Sequence, residues 1–243
     1  MTTVHWILGA SGGIGSALSR RLAGPERSLV LSARDETRLQ ALSDETGGAA
    51  RALDVTDAAQ VDAAAEAIIA EHGRIDGIAL CVGSILLKPA HRTSDEEWRQ
   101  TLALNLDSAF HVVRAGAKVM LRTGGSIVLL SSAAARFGLP NHEAIAAAKA
   151  GVIGLATSAA ASYAPRGIRV NVVAPGMVET PLSEPLLKSP ATAEASKAMH
   201  PLGRLGNAED VASAIAWFLD PAQSWVTGQV LGVDGGLAAV RGR

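Results

Sequence analysis

The chain has 243 residues, 48% apolar but only 3% aromatic, with 22 basic against 23 acidic side chains and a formal net charge of −1. That length suits one large α/β domain, and the lack of a dense positive face argues against a nucleic-acid partner. Cys81 is the only cysteine, so an intrachain disulfide is excluded and a reducing, cytoplasmic compartment is expected.

In chain order, strand-like apolar runs stand at 4–8, 28–33, 50–55, 75–82, 126–132, 168–174 and 229–234, and helical patterns at 57–71, 95–121, 143–163 and 208–219. This alternation predicts a single Rossmann-type α/β domain over 1–243, a doubly wound parallel sheet of about seven strands with helices on both faces. The N-terminus lacks a basic region ahead of a long apolar stretch, so no signal peptide is expected. No segment reaches the ~18 uninterrupted apolar residues of a membrane span. Residues 178–206, rich in Pro, Ser and Ala and without strand character, follow the sixth strand at the carboxyl edge where ligands bind. They form a candidate substrate lid. Met177, Leu182, Leu186 and Leu187 would line it and select a largely apolar small molecule.

The first strand runs directly into LGASGGIGSAL, which places Gly9, Gly13 and Gly15, with Ser11, Gly12 and Ile14 between them, in a strand-to-helix turn. Glycines there let the backbone approach a pyrophosphate at a helix N-terminus, so the turn is a candidate dinucleotide site. No Lys-Ser/Thr follows the glycines, which excludes a Walker loop. The second strand ends at Ala33 and Arg34. An arginine at that tip suits a 2′-phosphate, so NADP(H) is favoured over NAD(H), although Asp35 follows and weakens the positive field. Asp54 and Val55 close the third strand where adenine would lie. His91 and His111 have no Cys or carboxylate cluster at ligand spacing, and no metal site is expected.

The glycine spacing resembles that of the short-chain dehydrogenase/reductase family, and the resemblance extends over nearly the whole chain: LNLDSAF with Asn105, SIVLLSSAA with Ser132, RGIRVNVVAPGMVETPL with Pro175, Gly176, Val178 and Thr180, then PLGRLGNAEDVA and VTGQVLGVDGG. It implies that Asn105, Ser132 and Lys149 are catalytic, and that Lys149, Gly83, Pro175, Gly176, Val178 and Thr180 meet the nicotinamide half of the cofactor. It also implies a homotetramer, with the small-residue face of Ala146, Ala147, Ala150 and Gly154 open to close helix approach, either between subunits or within one.

Two positions depart from the family pattern. The catalytic tyrosine, expected four residues before the lysine, is Ile145. The only tyrosine, Tyr163, stands eighteen residues further on, about 27 Å along the helix, and cannot replace it. The family's Asn-Asn-Ala-Gly is Leu80-Cys81-Val82-Gly83 here, with Cys81 read as a core thiol. Isoleucine has no proton to give, and a general acid contributes ~10²–10⁴-fold. Three readings follow. His142, one turn before Ile145 and beside an expected Asn141 cap, donates the proton. Alternatively, the substrate is an activated alkene needing no tyrosine, or the protein is a silent nucleotide-binding sensor or partner of an active relative. His200, ahead of PLGRL, is read as lid or surface.

Overall fold

The computed structural model describes residues 2–240. In chain order the elements are β1 (Thr3–Leu8), α1 (Gly13–Leu22), β2 (Arg27–Ser32), α2 (Glu36–Thr46), β3 (Ala49–Ala50), α3 (Ala58–His72), β4 (Gly77–Leu80), α4 (Asp95–Leu102) and α5 (Ser108–Met120). There follow β5 (Gly125–Leu130), α6 (Glu143–Tyr163), β6 (Ile168–Pro175), β7 (Val178–Glu179), α7 (Glu184–Leu187), α8 (Pro190–Met199), β8 (Gly206–Asn207), α9 (Ala208–Leu219) and β9 (Val230–Val233). Seven strands make one parallel sheet in the order β3-β2-β1-β4-β5-β6-β9, the expected doubly wound Rossmann-type arrangement.

The sheet divides the core in two, because alternate strand residues face opposite ways. On one face Trp6, Ile78, Ile127 and Val170 pack with α3, α5 and α6. On the other Ile7, Leu31, Val128 and Val173 pack with α1, α2 and α9. With few aromatics available, small residues bring helix and sheet together: a Cβ on Gly116 would stand 2.6 Å from the Ile78 side chain.

Several boundaries differ from the sequence reading. The predicted 95–121 helix is broken at Ala103–Asp107 into a π turn between α4 and α5. The 50–55 strand contracts to β3, yet Arg51 and Leu53 still donate their amides to Leu31 and Ala33 carbonyls (2.8 and 3.1 Å), which brings Asp54 and Val55 to the sheet edge. The lid is not structureless: it holds α7 and α8, and its ends pair with each other as β7 and β8. Asn141 does not cap α6; it sits in the left-handed region at φ 63°, and His142 takes the cap position without a side-chain bond to the helix. Residues Glu143–Arg166 are long and apolar enough to cross a membrane, contrary to expectation. However, α6 buries Ala144, Ala148, Val152, Ala156 and Ala160, and Val152, Ala156 and Ala160 belong to the first core cluster.

One buried group gives the fold an acid limit. His5 on β1 is 4% exposed and its Nδ1 has no partner. Burial lowers its pKa from 6.5 to about 4, Asp76 opposing and Arg27 reinforcing the shift. The native state therefore keeps its full stability above pH 6.5 and loses it as pH falls toward 4. Urea unfolding at pH 7 and 4.5 should show wild type losing about 2 kcal/mol more than His5→Leu; equal losses would refute the assignment.

Candidate active site

The turn between β1 and α1 has no room for side chains. A Cβ on Gly15 would lie 2.2 Å from the Gly9 carbonyl oxygen, and Gly9, at φ 80°, has the Cys81 backbone 2.8 Å from where its own Cβ would be. The α1 cap is Gly12, no side chain caps the helix, and no acidic residue occupies its first turn. The first amides of α1 and its positive end are therefore left for an anion. Thr180 closes over this turn, its side chain 2.7 Å from a Cβ built on Gly13. Those features fit a dinucleotide pyrophosphate.

At the adenosine end, Arg34 is exposed and its guanidinium stands 4.0 Å from the Asp54 carboxylate. Asp35 turns its carboxylate to its own helix, accepting from the Arg38 amide at 3.0 Å. The Asp54 carboxyl is held below its usual range chiefly by the Thr56 amide, with the Thr56 hydroxyl and Arg34 adding to it. His111 donates from Nδ1 to the Val55 carbonyl at 3.1 Å, fixing the predicted adenine wall.

The predicted catalytic residues converge where β4 and β5 end against α6. Lys149 is buried, and its Nζ donates to the Leu130 carbonyl at 3.0 Å. Ser131 donates from its hydroxyl to the Lys149 carbonyl at 2.8 Å, so strand and helix are joined twice. A Cβ on Gly83 would stand 3.1 Å from Asn105 Oδ1 and 3.3 Å from Lys149 Nζ, which locates both groups at the end of β4. Asn105 is buried in the π turn. Its Nδ2 donates to the Ser84 hydroxyl (2.9 Å) and the Thr101 carbonyl (3.0 Å), while its Oδ1 accepts from the Ser84 amide (3.0 Å). π turns recur at functional sites because they redirect one side chain out of helical register.

Burial lowers the Lys149 pKa to about 8, only partly offset by Cys81, and pushes the Cys81 thiol up to about 12. Cys81 packs against the second core cluster, as a core thiol is expected to, and is half-buried because it also lines the site. Ser132 accepts from the Ala134 amide at 3.2 Å, which leaves its own proton free to donate.

These residues open onto a cavity of about 340 Å³ walled mostly by apolar side chains. Ser132, His142, Ile145 and Lys149 line it, with Met177, Leu182 and Leu186 from the lid; Leu187 does not. Ile145, at the position where the resemblance expects the tyrosine, is 5% exposed. His142 donates from Nδ1 to the Pro140 carbonyl at 2.7 Å, and its ring lines the cavity. Tyr163 packs beside the first core cluster, away from the cavity. Sequence reasoning missed Ser84, Ser131 and His200. The available signals were a polar residue directly after Gly83, the doubled serine ending a strand, and a histidine ahead of PLGRLG. His200, read as lid or surface, lies in the lid and is buried there.

The family model described as enoyl-(acyl carrier protein) reductase matches residues 9–238. The 3-oxoacyl-[acyl-carrier-protein] reductase FabG of Escherichia coli (strain K12) is 36% identical over 237 residues, covering 96% of each chain. A short-chain type dehydrogenase/reductase from Mycobacterium ulcerans superposes with a TM-score of 0.92 at 32% identity, over 99% of this chain and 91% of that one. ElxO with NADP bound superposes with a TM-score of 0.91 at 27% identity, over 99% of this chain and 100% of that one. The chain belongs to the short-chain dehydrogenase/reductase family, a family of oxidoreductases.

Two outcomes test the site. Gly15→Ala should abolish NADPH binding measured by fluorescence, because the clash is with backbone. The charged Lys149 penalises the folded state fully below pH 8, and the penalty fades as pH rises toward the ordinary 10.5. Between pH 7.5 and 10 wild type should therefore gain about 2 kcal/mol of stability on Lys149→Met, and parallel curves would contradict the assignment.

Proposed function

We propose that the protein is an NADP(H)-dependent oxidoreductase that transfers hydride to or from a carbonyl or an activated alkene, through an active site without the usual tyrosine. The observation that carries this reading is the convergence of Ser132 and Lys149 on an apolar cavity walled also by Ile145, with Asn105 buried behind Gly83 and Ser84 at its edge. The preference for NADP(H) is supported by exposed Arg34 and by Asp35, whose carboxylate is engaged in capping its own helix. NADP in the similar ElxO structure supports it further.

When bound, the nicotinamide supplies the hydride. Lys149, at the end of β4, is placed to donate to the ribose hydroxyls; Ser132 polarises the substrate oxygen with its free proton. Ile145 contributes shape alone. For a carbonyl, the proton then has to come from Nε2 of a doubly protonated His142, which returns to the neutral ring whose Nδ1–H donates to Pro140. For an alkene conjugated to a carbonyl, hydride adds to the β carbon, the charge collects on the oxygen held by Ser132, and the α carbon takes its proton from solvent water, so no tyrosine is needed. The apolar walls favour a largely apolar substrate, and the resemblance to FabG makes acyl and enoyl thioesters the first to try.

We place the protein in the cytoplasm as a homotetramer. Trp98 on α4, Phe110 on α5, Trp217 on α9 and Leu231 on β9 are large apolar side chains left exposed, as residues awaiting a subunit contact would be. Ala147, Ala150 and Gly154 are exposed on α6, which leaves them free for a second subunit.

The deciding experiment follows NADPH and NADH oxidation over ketones, diketones, acyl thioesters and enoyl thioesters, for wild type, Ile145→Tyr and His142→Ala. Wild-type turnover supports the reading. A loss of ~10²-fold or more in His142→Ala assigns the proton to that ring, and no loss assigns alkene reduction. Turnover by Ile145→Tyr alone would make the natural protein a silent nucleotide-binding subunit or sensor.

A further inference from the structure

Beside the Arg204–Asp210 pair and the backbone bonds of Gly206 to Met177 and Leu202 to Gly235, the lid has a buried side-chain tie to the core that none of the chemistry above uses. His200 follows α8 and is 3% exposed. Its Nε2 accepts from the Met177 amide at 3.1 Å, and its Nδ1 lies 2.6 Å from the Ser196 carbonyl. An amide can only donate, so Nε2 carries no proton; a carbonyl can only accept, so Nδ1 carries one. The ring is held in a single neutral tautomer with both nitrogens engaged. His200 is therefore no proton donor, in contrast to His142.

The surroundings are shaped to receive this ring. A Cβ on Gly176 would stand 2.5 Å from Nε2, and one on Gly235 would stand 3.4 Å from the His200 Cβ. The turn beyond is closed by the Gly203 amide on the His200 carbonyl (2.7 Å) and the Leu202 amide on the Gly235 carbonyl (3.1 Å). Ser196, the ring's other partner, is the one buried residue of α8. A helix with so little buried surface depends on few ties for its position, and this one runs to the backbone of the 175–180 segment.

We propose that His200 is a positioning residue that fastens the lid to the nicotinamide-facing segment at Met177, so that cofactor binding and lid closure over the substrate cavity are one event. The inference rests on the NADP(H) reading for its cofactor half, and its test is built so that the two fail separately. His200→Gln keeps an acceptor near the Nε2 position. His200→Asn keeps a donor toward Ser196 but falls short of Met177, and His200→Leu has neither. Three readouts apply: hydrogen exchange of the Met177 amide, trypsin cleavage at Lys188 in the lid with and without NADPH, and NADPH affinity.

Wild type and the Gln variant should behave alike, with NADPH slowing cleavage. In the Asn and Leu variants Met177 should exchange ~10-fold faster, and NADPH should no longer protect the lid. Gly176→Ala, which drives a methyl group against the ring, should match the Asn variant and serves if the Gln variant does not fold. Asn indistinguishable from wild type in exchange and cleavage, or Gln as impaired as Leu, overturns the proposal. If wild type fails to bind NADPH, the cofactor reading falls, while exchange and cofactor-free cleavage still decide for or against the tie.

Discussion

The carboxyl end of the sheet depends on how one buried amine is held. Lys149 is surrounded by apolar groups, and no carboxylate offsets its charge. A lone cation in such a place costs several kcal/mol, and the protein returns to it one carbonyl, that of Leu130. The cost is tolerated because β5 and α6 are already fixed by a deep core and by the Ser131 bond to the Lys149 carbonyl. An ammonium so sparingly satisfied by its own chain is preorganised for acceptors from outside, and a ribose offers two.

That frame explains why isoleucine can stand at position 145 without disturbing anything near it. The side chain is enclosed on a face of α6 shared with Ala144, Ala148 and Val152, where an aliphatic group meets its packing needs. The serine, the lysine and the asparagine keep their own bonds, none of which runs through position 145. Isoleucine at this position leaves the architecture alone and gives the cavity one more apolar wall.

Much of this was legible in the sequence, because the signals were local. Strand runs, helix periodicity and a glycine turn ten residues into the chain each depend on neighbours close in sequence, and they placed the sheet, the cofactor turn and the Ser132–Lys149 corner. The misreadings have long-range causes. Asn141 suits a cap by type, but the chain enters α6 through a left-handed residue, a place asparagine tolerates equally well. His200 lacks any local mark of burial; its partners include Met177, twenty-three residues earlier, and its space comes from missing Cβ atoms on Gly176 and Gly235. Ser84 matters because Asn105, twenty-one residues away, holds it with two hydrogen bonds.

The π turn at Ala103–Asp107 has a consequence for how this region can change over evolutionary time. A π turn carries one residue more than the α turn it replaces. Removing one residue between 95 and 120 but outside 104–110 would let the helix relax to regular α geometry, and each residue of register turns a side chain by about 100°. Asn105 would then swing off the Ser84 loop while every amino acid of the motif survived. Point substitutions can sample this helix freely on its exposed side; insertions and deletions cannot. The position of the asparagine is thus recorded in the length of the segment as much as in its spelling, and a chain shortened there by one residue would keep the motif and lose the site.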